Sequence, residues 1–247
     1  MSFELYSGYY DLLYGDKDYA VEADYVSKHL IAELTTTADI LEFGSGTGRH
    51  ARALTDFGHK VHGVELSASM VEASKIVDGF TCQQGDMTTV RLERTYDAVI
   101  ALFHVLSYQI TNHQLQSAFA NAARHLNIGG LFIFDFWYSP AVYAQRPRVR
   151  IKRASDQNIS LTRIAEPVVF PNESRVDVHY EFFVQKKSSA VITSFKETHC
   201  MRHFSLRELD FLATNNGFER ITTEELISGR APSEETWGVC TIMKKVQ

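Results

Sequence analysis

The sequence predicts an α/β fold: a largely parallel sheet covered by helices on both faces, followed by an antiparallel strand-rich insertion. Three observations predict it. Apolar strand runs alternate with amphipathic stretches from residue 18 to residue 135, as right-handed crossovers require. The first strand runs straight into Gly44-Ser45-Gly46-Thr47-Gly48. From Val149 to about His203 the apolar period shortens to two residues and helical signals fade.

In chain order, Asp18 caps a helix in which Tyr19, Ala23, Val26, Leu30 and Leu34 recur at three- and four-residue steps, so one face must be buried. The tyrosine-dense residues 6–15 before it form either an ordered arm packed through its rings or a lid. Residues 38–43 are the first strand, and a helix over 47–57 is closed by Gly58. A second strand, 61–65, ends at Glu65, after which Ser67 caps a helix carrying Met70 and Ala73. A third strand, 80–84, runs into Gly85-Asp86-Met87. Residues 96–103 form the continuous apolar strand typical of a parallel sheet buried on both faces. A helix over 112–126 sets Leu115, Phe119, Ala122 and Leu126 on one side, and a fifth strand over 131–134 ends at Asp135. In the insertion, Val176, Val178, Tyr180 and Phe182 share a face. Ser205 and Glu208 form a capping box for a helix that stops at 215–217, and strands over 218–222 and 239–243 complete the sheet.

The 247 residues, 45% of them hydrophobic, suffice for one large globular unit. A net charge of −5 lacks the basic footprint of a nucleic-acid binder. Cys82, Cys200 and Cys240 stand far apart in no C-x-x-C pairing, so neither a disulfide framework nor a zinc knuckle is expected. His199 and His203 fall on one strand face but roughly 13 Å apart, too far to share an ion, and no metal is assigned. No apolar run approaches the ~18 residues needed to span a bilayer, and the first residues carry no export signal, so a cytoplasmic protein is expected, with a homodimer as an admissible assembly.

The glycine turn discriminates between ligands. Gly44, Gly46 and Gly48 fall as G-x-G-x-G, with Arg49 at the last position of a dinucleotide fingerprint, and no G-K-[ST] follows to make a P-loop. The flanks then decide. Glu65 at the end of the second strand can accept both hydroxyls of a ribose, Asp86 after the third can bond an exocyclic amine, and Met87 can pack on a base. Glu42, just before the turn, adds negative charge that favours a cationic ligand. Together they suit an adenosine without phosphates.

On these residues the chain resembles the class I S-adenosylmethionine-dependent methyltransferases. The matching stretches are 41–50, 61–66, Gln84-Gly85-Asp86-Met87, 97–103, and 125–135 around Gly129-Gly130. The resemblance implies a Rossmann-like seven-stranded sheet in order 3-2-1-4-5-7-6 with strand 7 antiparallel, and S-adenosyl-L-methionine over the carboxyl ends of strands 1 to 4. It implies cofactor contacts from Glu42, Gly44, Ser45, Gly46, Glu65, Leu66, Met70, Asp86, Met87 and Leu102, with Tyr19 or Arg49 on the methionine carboxylate. A narrower similarity, through Tyr10-Asp11-Leu12-Leu13-Tyr14, Lys17-Asp18-Tyr19-Ala20 and the insertion, is to N-methyltransferases of nucleotide-linked amino sugars. Residues 103–108 and 135–137 depart from that narrower pattern.

An amine acceptor must be neutral when it attacks, so a base near the methyl group helps. His104, just after the fourth strand, is the candidate base, and the hydroxyls of Tyr14 and Tyr108 are candidates to orient the acceptor. Arg146, Arg148, Arg150 and Lys152 alternate, which on a strand sets four cations on one face. Such a row suits a diphosphate, or else the solvated outer face of an edge strand. Phe136, Trp137 and Tyr138 can wall an acceptor pocket, although core packing also explains Phe136.

The expected organisation is an N-terminal arm and helix over 1–37 acting as a lid, a cofactor domain over 38–145 and 204–247, and a β-rich acceptor-side cap over 146–203. O- and C-methylation stay open beside N-methylation. So do two other classes, a dinucleotide oxidoreductase and a non-catalytic cofactor-binding subunit. Nucleic acid methylation is disfavoured further because Phe103-His104-Val105-Leu106 stands where an N-P-P-Y-type tetrapeptide would.

Overall fold

The computed structural model describes residues 4–189 and 191–247, with side chains from residue 8 onward. The first three residues of the expected arm, and the side chains of 4–7, lie outside the described residues.

Helix α1 (Glu4–Leu13) is the tyrosine-rich arm, and α2 (Tyr19–Leu34) follows it. Asp18 caps α2 by accepting from the Val21 amide at 3.1 Å, and Thr35 ends it in the left-handed region at φ 61°. The sheet strands β1 (Asp39–Phe43), β2 (Lys60–Glu65), β3 (Phe80–Gln84) and β4 (Tyr96–Ala101) are separated by the short helices α3 (Arg49–Thr55) and α4 (Ala68–Ala73) and by an extended loop. Helix α5 (Asn112–Arg124) leads to β5 (Leu126–Trp137). Helix α7 (Leu206–Asn215) precedes β10 (Phe218–Glu225) and β11 (Gly238–Lys245). The sheet order is β3-β2-β1-β4-β5-β11-β10, with β11 antiparallel to both neighbours, as the resemblance implied.

The inner strands are buried on both faces. Leu41, Val99 and Phe132 pack toward Phe119 of α5, while Ile40, Ile100 and Ile133 pack toward Val26 and Leu30 of α2 and Leu54 of α3. That two-sided burial explains their continuous apolar sequences.

Between β5 and α7 the chain forms α6 (Ser139–Gln145) and then β6 (Arg150–Ser155), β7 (Ile159–Phe170), β8 (Arg175–Lys186) and β9 (Ile192–Arg202). These four strands make a separate antiparallel sheet in sequence order. Its entry and exit are stitched together. Tyr138 bridges Phe204, the Ser139 amide donates to the Phe204 carbonyl at 2.9 Å, and the Phe204 amide donates to that of Trp137 at 3.0 Å.

Four expectations are corrected in detail. The fifth strand starts at Leu126 and reaches Trp137, because Gly129, at φ 86°, shifts register within the strand and does not end a helix. The fourth stops at Ala101, two residues before Phe103 and His104 turn left-handed. Helix α6 was not foreseen, its Ser-Pro start giving little periodicity. Ser205 accepts from the Glu208 amide, but the Glu208 carboxylate pairs with Arg202 at 2.6 Å and does not close a capping box.

Candidate active site

One cavity of about 1190 Å³ opens over the carboxyl ends of β1 to β5 and under the inner face of the β6–β9 sheet. Every catalytic and cofactor-binding residue expected from the sequence borders it except Glu42, while Tyr138, expected to wall the acceptor pocket, does not because it turns away to bridge Phe204, and Lys152 does not either. Phe136 is also absent from its wall and is fully buried in the core, whereas Trp137 lines it.

The three glycines of the turn have positive φ (68°, 55° and 75°) but do different work. A Cβ on Gly44 would lie 2.5 Å from a methyl of Val105, and one on Gly48 would lie 2.4 Å from the Phe80 ring. These two let the turn pack against protein. A Cβ on Gly46 would meet nothing closer than the Met70 sulfur at 3.9 Å, so Gly46 leaves its space to the cavity. A backbone bared in this way is what a closely held ligand needs.

Glu65 ends β2 and is nearly buried. One carboxylate oxygen accepts from the Gly46 amide at 2.9 Å and the other from the Ser67 amide at 2.8 Å, so it fixes the turn and the start of α4 together. The Leu66 amide also favours the ionised carboxylate, whose roughly four acceptor positions leave room for a ligand hydroxyl. Burial pushes its carboxyl up, and the amide bonds pull back against that. Asp86 anchors its own loop, its Oδ1 accepting from the amide and the hydroxyl of Thr88, both at 2.7 Å. Both acids therefore cap loops and border the cavity.

Glu42 is 1% exposed and sits below the floor, so it makes no cavity wall. Its Oε2 has no hydrogen-bond partner among the described residues. Burial first, and the neighbouring Glu65 carboxylate second, push its carboxyl up to about 8. The alternation that buries Leu41 and Phe43 on one face of β1 turns Glu42 to the other face, under the turn.

The arm closes one end. Thr47 of the turn donates its hydroxyl to Asp11 at 2.9 Å, and Arg49 donates to the Tyr14 carbonyl at 3.3 Å. The Arg49 guanidinium lies over the Tyr19 ring, 4.5 Å from its centroid. Tyr14 in turn accepts through its hydroxyl from Arg163 of β7 at 3.0 Å, and Lys152 of β6 pairs with Asp16 at 2.8 Å. The arm thus ties the glycine turn to the inserted sheet. In the expected row of cations, Arg150 and Lys152 share a strand face. Arg146 and Arg148 lie on the approach before β6, and all three arginines border the cavity. Trp137 and Trp237, with centroids 5.8 Å apart, line the same cavity.

His104 is half-buried where β4 leads into a short 3₁₀ turn, Val105–Tyr108. Its backbone amide donates to Oδ1 of Asp135 at 3.0 Å, and its Nδ1 lies 2.8 Å from Oδ2 of the same carboxylate. Burial pushes the Asp135 carboxyl up, but the charge, side chain and amide of His104 together outweigh it and hold the group below the usual carboxylate range. Tyr108 is hydrogen-bonded through its hydroxyl to Nδ1 of His199 at 2.9 Å, and Nε2 of His199 lies 3.3 Å from Glu197. Burial, then nearby phenols and carboxylates, push the Tyr108 phenol well up, so it stays protonated.

Sequence reasoning gave Asp135 no role beyond ending a strand and weighed His199 only as a metal ligand, and it missed Arg163 and Trp237, which also line the cavity. An acid ending an otherwise apolar strand, one strand over from a histidine at the same level, was the available signal for Asp135. For His199, period two placed it on the inner face of β9 with Met201. His203 takes another partner, Ser139 at 2.8 Å, and burial holds its imidazole down at about 4.

Comparison with known proteins follows the same division. A family model described as a methyltransferase domain matches residues 40–130. The chain is 30% identical over 226 residues, covering 90% of itself and 93% of the relative, to a dTDP-3-amino-3,4,6-trideoxy-α-D-glucopyranose N,N-dimethyltransferase of Streptomyces venezuelae. It is 26% identical to a dTDP-3-amino-3,6-dideoxy-α-D-glucopyranose N,N-dimethyltransferase of Streptomyces fradiae, covering 84% of this chain and 81% of that one. Among solved structures, a sugar N-methyltransferase of Streptoalloteichus sp. ATCC 53650 superposes with a TM-score of 0.80 at 22% identity, over 94% of this chain and 92% of that one. That likeness is one of fold.

Proposed function

The chain belongs to the class I S-adenosyl-L-methionine-dependent methyltransferases, and on that premise we propose that it methylates the amine of a nucleotide-linked amino sugar. The observation that carries the reading is one continuous cavity whose lining brings together the bared glycine turn and its acids, Arg146, Arg148 and Arg150, and the two tryptophans. Relatives named for dTDP-linked amino sugars support the same acceptor class.

The donor end fits the cofactor. Gly44, Ser45 and Gly46 would give the backbone cradle, Glu65 and Leu66 would meet the ribose, and Asp86, Met87, Met70 and Leu102 would hold the adenine. Tyr19 or Arg49 would hold the methionine carboxylate, and Glu42, its carboxyl pushed up to about 8 in the empty site, would gain negative charge beneath the turn only as a cation settles above it. When bound, S-adenosyl-L-methionine supplies a methyl group on a sulfonium, transferred without its C–S bonding pair. The chain's own task is to hold a neutral amine in line and keep water away, and orientation of this kind is worth on the order of several kcal/mol.

At the acceptor end, Tyr14 and Tyr108 orient the amine and His104 receives its proton, while Arg146, Arg148 and Arg150 face the phosphates. Residues 1–37 serve as a lid, 38–145 and 204–247 as the cofactor domain, and 146–203 as the acceptor-side cap. The enzyme acts in the cytoplasm, with a homodimer as its assembly.

The test is a transfer assay with labelled cofactor and matched amino sugars, each with and without its nucleotide. We expect labelled product only from nucleotide-linked amines, carrying one or two added methyls on nitrogen. Methylation at oxygen or carbon, or equal turnover of the free sugars, would overturn the acceptor class. Binding of a reduced dinucleotide in place of the methyl donor would overturn the activity.

A further inference from the structure

We propose that Asp135 is a positioning residue: its carboxylate fixes the His104 imidazole with the proton on Nδ1, so that Nε2 is the basic nitrogen offered to the acceptor amine. The proposal rests on the reading above that His104 receives the amine's proton.

Both oxygens of Asp135 are committed to one residue. Oδ1 takes the His104 backbone amide at 3.0 Å, and Oδ2 lies 2.8 Å from Nδ1. The amide bond anchors the backbone of His104, and the carboxylate oxygen 2.8 Å from Nδ1, although not aligned as a hydrogen bond, sets an anion beside that nitrogen and draws the ring proton to it. The Asp135 side chain is 2% exposed and that of His104 20%, so the ring spans the distance from a buried anion to the cavity wall. The rings of Phe103 and Trp137, with centroids 5.8 and 5.9 Å from the imidazole, confine it on two sides.

The backbone points the same way. Phe103 and His104 are consecutive non-glycine residues with φ of 65° and 62°. Such a pair is strained and persists only where its surroundings over-determine it. Glycine would relieve the strain but would bring no ring to the wall, and the captured amide is what holds the turn in place.

The charges are arranged for a cation. Asp135 remains an anion, as described above. The other titratable groups that face it are His50 of α3 and the Cys240 thiol of β11, and burial, then Asp135 itself, push that thiol far up, so it stays neutral. When the amine gives up its proton, its N–H bond breaks, an Nε2–H bond forms, and the electron pair stays on the amine nitrogen as the nucleophile. The new imidazolium charge then faces the Asp135 carboxylate. Release of that proton to water restores the neutral ring for a second transfer.

The experiment reads the tautomer directly, in ligand-free protein labelled with ¹⁵N at histidine, with His104→Ala used to assign the resonance. In the wild type at a pH where the ring is neutral, we expect the proton on Nδ1. In Asp135→Asn, which keeps an oxygen for the backbone amide, we expect it on Nε2. Turnover in that variant should fall by about 10²-fold with the cofactor KM unchanged. A wild-type ring protonated on Nε2, or the same tautomer in both proteins, overturns the proposal without needing the variant to be active. If the tautomer is as expected but His104→Ala turns over like the wild type, the base reading fails and the proposal with it. The two failures are thus separable.

Discussion

At the scale of single residues, the glycine turn shows why one motif needs two kinds of evidence. Its spacing excludes a dinucleotide fingerprint and a P-loop, but spacing cannot say which glycine faces the ligand. Coordinates separate them, and substitution should too. Gly44→Ala sets a Cβ 2.5 Å from Val105 at φ 68°, and we expect it to lose about 1–3 kcal/mol of stability in denaturant titration. Gly46→Ala finds open space, so apart from about 1 kcal/mol of backbone strain its cost should fall on binding, raising the cofactor Kd by roughly 10-fold or more in calorimetry. Equal behaviour of the two would contradict the division of labour. The acids were legible as a set because Glu42, Glu65 and Asp86 each stand within two residues of the carboxyl end of a strand. Asp135 was not, since its role depends on His104, which lies far away in sequence and is brought close only by the pairing of β4 with β5.

At the scale of elements, the parallel strands were legible because burial on both faces leaves them no polar positions. Their ends were less so. Nothing in the composition of residues 96–103 marks the left-handed turn that cuts the strand at Ala101, because sterics at Phe103 are overridden by the Asp135 contact. The cation row was legible as a period but not as a surface: β6 takes only Arg150 and Lys152, and Lys152 is drawn to Asp16 of the arm. Arg148 lies on the approach to that strand and borders the cavity. Arg148→Glu should therefore raise the acceptor KM for a nucleotide-linked sugar by about 10-fold or more, with the cofactor KM unchanged. An unchanged acceptor KM would return the row to the role of a solvated edge.

At the scale of the whole molecule, the architecture followed from alternation and the resemblance, and the same core carries a cost at Glu42. Its carboxyl titrates at about 8 in the fold, against an ordinary 4.5. Between those limits the native state holds a proton that the unfolded chain has lost, so the group's contribution to stability falls as pH rises from about 4.5 to about 8 and is flat above. Glu42→Gln should leave the unfolding free energy in denaturant titration unchanged below pH about 4.5 and raise it above pH about 8, by an amount on the order of a few kcal/mol. A variant less stable than the wild type at high pH would show that the charge is compensated in the fold. Retention of such a group under the turn fits a site that receives a cation.

The inserted sheet leaves the main sheet at Trp137 and rejoins it at Phe204, and these two points are hydrogen-bonded neighbours. The entropy of closing such a segment grows slowly with its length, by only about 0.6 kcal/mol for each doubling. The half of the cavity that meets the acceptor is therefore a detachable cassette on a fixed donor platform. A lineage can exchange, lengthen or recut it between those two stitches while the turn, the acids and the seven-stranded sheet stay as they are. By the same logic, a chimaera joined at Tyr138 and Phe204 should inherit its choice of acceptor from the insert and its cofactor from the frame.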